Sequence, residues 1–160
     1  MREPEPLEGD GTGPYEHPAR IATALGGDGT DIARARHLTA GFLARVRSEH
    51  GLPVSRRALD VAQLVVSELV TNARKYAPGP IRLELRIDGD VVEVVVWDSD
   101  PVLPIARAVD PGRVGQHGLE IVMAVAQGFE ARREPVGKRL TARIALLDDP
   151  GGAVTGRPPA

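Results

Sequence analysis

Glu68 and Asn72 stand four residues apart in the stretch VSELVTNARKYA, which places a carboxylate and a carboxamide one above the other on a single helix face. An amide oxygen is a hard ligand suited to Mg²⁺, an ion that keeps several waters and takes few protein ligands when it also binds phosphate oxygens. A carboxylate one turn away is a base that can polarise an attacking hydroxyl. Polar pairs at this spacing are also common on ordinary solvated helix faces. What sets this pair apart is the apolar remainder of the same helix: Val61, Leu64, Val65, Val66, Leu69 and Val70.

Two further features point to a nucleotide cleft. Asp98 closes the valine-rich run VVEVVVWD and follows Val94 and Val96 by twos, so strand parity turns it toward the apolar face and Trp97 away from it. A carboxylate facing inward is costly unless paired, and it could accept from an exocyclic amino group such as that of adenine. The plainer alternative is a strand-end acid turned to water or bonded to nearby backbone. Gly115-Gln116-His117-Gly118-Leu119 then opens an apolar helical run, where bare amides and small residues can cradle an anion. Glycines at a loop-to-helix junction also occur for turn reasons alone.

Other chemistries find little support. There is no Gly-x4-Gly-Lys-Ser/Thr loop, since Gly137-Lys138 lacks the first glycine, and neither Gly-x-Gly-x-x-Gly nor Gly-x-Ser-x-Gly occurs. The four histidines show no metal-ligand spacing, and His37 is followed by Leu38-Thr39 rather than an acid, unlike a phosphoacceptor. Cysteine is absent, which removes disulfides, thiolate catalysis and cysteine-ligated zinc. A net charge of -2 gives no electrostatic footprint for nucleic acid or an anionic membrane. With no apolar signal core at the start and no span-length apolar run, a cytoplasmic location is expected.

The elements that must position these residues follow from periodicity. The 160 residues suit one domain over 18–147, with Pro-, Gly- and acid-rich tails at 1–17 and 148–160 read as disordered. Ile21, Thr23 and Leu25 suggest a first strand. Asp28 or Thr30 can cap a helix through Ile32, Ala35, Leu38, Phe42 and Val46, ended by Gly51 and Pro53. A second helix runs from Ser55 or Arg57 to Ala77, where Pro78-Gly79-Pro80 stops it. Alternation over 81–87 and the dipeptide Asp88-Gly89 predict a hairpin pairing Leu85 with Val92, Leu83 with Val94 and Ile81 with Val96. That register sets Glu84 against Glu93, a mildly unfavourable pair. Residues 101–116 read as a long loop, Gly118 as the start of a helix ending at Gly128, and 129–134 with 139–146 as a closing hairpin. The expected fold is α+β, a two-layer sandwich of a mixed, mostly antiparallel sheet with helices on one face.

Taken together, VSELVTNARKYA, VWDSDP and GQHGLEIV, in that order, resemble the GHKL-type ATP-binding domains of gyrase, the large heat-shock chaperones, sensor histidine kinases and MutL. The chain is especially similar to the free-standing, actinomycete-like anti-sigma-factor serine kinases. The resemblance implies the Bergerat-type fold over roughly 19–146, ATP and Mg²⁺ as cofactors, and a role in transcription regulation. By the same resemblance Glu68 is the catalytic base and Asn72 the Mg²⁺ ligand. Lys75 lies near the phosphates, and Asp98 reads the adenine amino group. Gly115, His117, Gly118 and Leu119 form the end of the nucleotide-covering loop and the helix start beneath the phosphates. The implied activity is phosphorylation of a serine on a STAS-type anti-anti-sigma protein, with a sigma factor as second partner, no direct nucleic acid or membrane contact, and a possible homodimer. The alternative is an ATP-binding or degenerate module that sequesters a partner without kinase activity. The chain departs from the family in carrying Asp100, followed by Pro101, where a glycine usually stands, and Arg139 where relatives often have Thr.

Overall fold

The structure, a computed structural model, describes residues 19–26, 29–76, 79–101, 103 and 117–147, with Tyr76 and His117 by their backbone alone. The expected tails, the Asp28 cap, the Ala77-Pro78 helix stop and most of the loop over 101–116 lie outside the described residues. In chain order the elements are β1 (Arg20–Leu25), α1 (Asp31–His50), α2 (Arg56–Tyr76), β2 (Ile81–Asp88), β3 (Val91–Asp98), α3 (His117–Val125), β4 (Gly128–Arg133) and β5 (Lys138–Ala145).

Five strands form one sheet in the order β1-β2-β3-β5-β4. All four pairings are antiparallel, so no parallel component appears among the described residues. The three helices pack on one face, giving the expected α+β two-layer architecture. The core lies between the layers. It takes Val65, Val66, Leu69 and Val70 from α2, Phe42, Leu43 and Val46 from α1, and Val122 from α3. The sheet contributes Leu83, Leu85, Val92, Val94, Val96, Leu140, Ala142 and Ile144. Both long helices have readable ends. Thr30 is the N-cap position of α1, and Gly51 closes it in the left-handed region at φ 67°, with the Leu52 amide donating to the Val46 carbonyl. The Ser55 hydroxyl accepts the Ala58 amide at 2.9 Å and caps α2.

The first hairpin differs from expectation. Its turn is Gly89-Asp90, and the observed partners are Leu85 with Val94, Leu83 with Val96, and Ile87 with Val92. Gly89, at the first central position of the turn, has φ 63°, a left-handed conformation that glycine adopts without steric cost. The shift is two residues, an even number, so every inward side chain stays inward. It also removes the predicted Glu84–Glu93 clash. Arg86 faces Glu93 and bonds it at 2.5 Å, Arg143 bonds Glu93 as well, and Glu84 pairs with Arg20 at 2.6 Å. The helix α3 ends at Val125 rather than Gly128, because Gly128 already pairs with Arg143 as the first residue of β4.

Candidate active site

Two contacts bring the predicted site elements together: α2 meets the start of α3 at Glu68 and Gly118, and the end of β3 meets the start of β5 at Asp98 and Lys138. The Ser55 cap and the packed stripe of α2 fix its rotation, so Glu68 and Asn72 share one side of the helix near its C-terminal end. Asn72 is 7% exposed, and its Oδ1 is a buried oxygen with no hydrogen-bond partner. An orphaned acceptor of this kind is uncommon, because leaving one unmade costs about 1–3 kcal/mol. Glu68 is only half-buried. Its carboxylate lies against the start of α3, where a Cβ added at Gly118 would come within 2.4 Å of Glu68 Oε1. The absence of a side chain at 118 therefore makes room for that carboxylate, and the helix dipole favours a negative charge there.

Asp98 is inward, as parity requires, with its side chain wholly buried. Its two oxygens differ. Oδ1 accepts from the Asp100 amide at 2.9 Å and from Lys138 Nζ at 3.0 Å, whereas Oδ2 is buried without a partner. Burial holds the Asp98 carboxyl above its usual range. The Lys138 hydrogen bond and charge and the Asp100 amide pull it down, and the Asp100 charge pushes it up again. Gly137 brings β5 close enough for this contact: it has φ 79°, and a Cβ there would lie 1.8 Å from the Asp98 carbonyl oxygen. No substitute side chain fits.

The remaining predicted residues fall as follows. Lys75 is exposed on the last turn of α2. Gly118 is in the first turn of α3, whose leading amides have no intrahelical acceptor. Leu119 is 8% exposed and packs in the core, so its backbone amide is what it can offer a ligand. His117 opens α3. Gly115 lies outside the described residues. Two orphaned oxygens, an aligned set of helix amides and a nearby carboxylate fit a hard cation together with an anionic ligand that bears an amino group. The groove of about 550 Å³ on the outer sheet face holds none of these residues, being lined by ion-paired Arg86, Glu93 and Arg143.

The family profile described as histidine kinase-like ATPase domain matches residues 29–144. The chain belongs to this family. No curated protein sequence is similar enough to count as a match. Among solved structures, the histidine kinase domain of the Erythrobacter litoralis EL346 blue-light activated histidine kinase is similar at 20% identity and TM-score 0.45. That alignment covers 68% of this chain and 61% of that one. The Acinetobacter baumannii histidine kinase AdeS is similar at 14% identity and TM-score 0.46, covering 78% and 68%.

Within this histidine kinase-like ATPase domain, sequence reasoning missed one residue. Lys138 is 1% exposed and ties Asp98 to the Asp100 carboxylate at 3.5 Å and the Asp100 carbonyl at 3.4 Å. The signal was present: Lys138 precedes Leu140, Ala142 and Ile144 by twos and so shares their inward parity.

Proposed function

We propose that this ATPase-family domain binds Mg²⁺–ATP and acts as a protein serine/threonine kinase and anti-sigma factor. Its substrate would be a STAS-type antagonist, with a sigma factor as the other partner. The observation that carries the nucleotide part is the pair of buried, unpartnered oxygens, Asp98 Oδ2 and Asn72 Oδ1, together with the Glu68 carboxylate held at the start of α3. The kinase specificity, the partners and a homodimer rest on the sequence resemblance, and a cytoplasmic setting on the hydropathy reading of the sequence. No helix of the described residues is long and apolar enough to cross a membrane.

In this reading Asp98 Oδ2 accepts a hydrogen bond from the amino group of the base. Asn72 Oδ1 holds the cation, and the amides opening α3 orient the phosphates. When bound, Mg²⁺–ATP supplies the phosphoryl group and the positive charge that offsets its negative oxygens. Glu68, half-exposed and held beside Gly118, takes the proton of the incoming serine hydroxyl at its carboxylate.

One observation favours the partner-sequestering alternative. Half of the base-reading carboxylate is already occupied by an internal ammonium. Labelled ATP with a STAS protein as acceptor separates the two readings. The kinase reading expects transfer by the natural chain and a fall of about 10²–10⁴-fold in Glu68→Gln with nucleotide still bound. Equal transfer by both proteins removes Glu68 as base, and binding without any transfer supports sequestration.

A further inference from the structure

Lys138 is a buried cation with two acids, and its place in the site has a consequence for the ligand. Its ammonium has three protons and faces three acceptors: Asp98 Oδ1 at 3.0 Å, the Asp100 carbonyl at 3.4 Å and Asp100 Oδ2 at 3.5 Å. None is left over for a ligand. The acceptor that Asp98 keeps unpartnered is therefore Oδ2.

We propose that Lys138 is a positioning residue that sets base specificity. By holding Asp98 as an ionised carboxylate with only Oδ2 unpartnered, it makes the site accept a 6-amino purine and refuse a 6-oxo purine. This rests on the reading of Asp98 as the base-contacting acid. An ionised carboxylate only accepts, so it matches an amino group and repels a carbonyl oxygen. A protonated carboxyl carries one O–H donor and can bond a 6-oxo group. Which of the two forms is present thus decides which purine fits.

The charged groups acting on Asp98 are Lys138 from β5 and Asp100 just beyond β3. No α2 group is among the causes of the Asp98 shift, and the Glu68 carboxylate of that helix lies beside Gly118 on α3. Burial and the Asp100 charge favour the protonated form; among the described residues Lys138 is the cation opposing them, with help from the Asp100 amide. Losing an opposite charge at hydrogen-bond distance should raise the Asp98 midpoint further.

The test is the ATP-to-ITP affinity ratio, with Mg²⁺, measured by calorimetry between pH 5 and 8. At pH 7.5 the natural chain should prefer ATP by about tenfold or more, and Asp98→Asn should lose about tenfold or more in ATP affinity. In Lys138→Met the preference should fall toward unity at pH 7.5. In the natural chain the same fall should appear only at lower pH, and Lys138→Arg should restore the natural profile. A Lys138→Met protein with an unchanged ratio and pH profile, beside an Asp98→Asn protein that has lost affinity, overturns the proposal. Should Lys138→Met fail to fold, a pH-independent ratio in the natural chain and in Lys138→Arg overturns it equally. If Asp98→Asn binds ATP unchanged, or nothing binds either nucleotide, the underlying reading of Asp98 fails and the specificity claim falls with it. A carboxyl ¹³C titration of Asp98 without nucleotide then still decides whether Lys138 holds its charge.

Discussion

Replacing Lys138 by Met should be far more damaging than replacing Asp98 by Asn, although each removes one end of the same ion pair. The ammonium is 1% exposed, and the two carboxylates it serves are 5% and 6% exposed as residues. Lys138→Met takes the ammonium away from the buried Asp98 carboxylate, and removing one partner of a buried pair costs about 3–5 kcal/mol. Asp98→Asn leaves Lys138 its contacts to Asp100, and a carboxamide oxygen can still accept from the Asp100 amide and from Nζ. The cost there should stay below about 1.5 kcal/mol, the size of an ordinary hydrogen bond. Urea unfolding at pH 7.5 would measure both, followed by circular dichroism and by Trp97, the single tryptophan, which neighbours Asp98 in sequence. The double variant should be more stable than Lys138→Met alone, a coupling of more than about 1 kcal/mol. Equal losses from the two single variants, or strict additivity in the double, would refute the reasoning.

Two further outcomes follow from the same geometry. The Asp98 carboxyl is raised in the folded state, so its contribution to stability is fully present below the ordinary value of 3.8 and is lost as pH rises through the raised value. The stability difference between the natural chain and Asp98→Asn should therefore grow as pH falls across that window, whereas a difference that shrinks would contradict it. Gly118→Ala should leave the fold at least as stable by thermal unfolding, since alanine favours a helix over glycine by about 0.5–1 kcal/mol. The new Cβ would displace Glu68 Oε1, the far end of a flexible side chain, so phosphoryl transfer should fall while nucleotide affinity changes little; unchanged transfer would detach Glu68 from the chemistry.

Much of the cleft was legible because periodicity carries direction. Parity placed Asp98 inward and Trp97 outward in both the expected and the observed register, since the two differ by an even slip. The register itself was harder to read, because Asp88-Gly89 and Gly89-Asp90 are both plausible turns and only the cross-strand charges separate them. Setting Arg86 against Glu93 rather than Glu84 against Glu93 was the available clue. The role of Lys138 escaped because it depends on β5 lying beside β3, a contact between strands forty residues apart that no local pattern announces. Its parity was readable; its partner was not.

The central claim is that Asn72 Oδ1, buried and unpartnered, holds the cation of a bound Mg²⁺–nucleotide. Its most direct test is a calorimetric titration of ATP, with and without Mg²⁺, into the natural chain and into Asn72→Ala. The account predicts that Mg²⁺ strengthens ATP binding to the natural chain and that Asn72→Ala loses most of this Mg²⁺-dependent gain, with affinity lower by about tenfold or more. Binding by Asn72→Ala with the same affinity and the same Mg²⁺ dependence as the natural chain would contradict it.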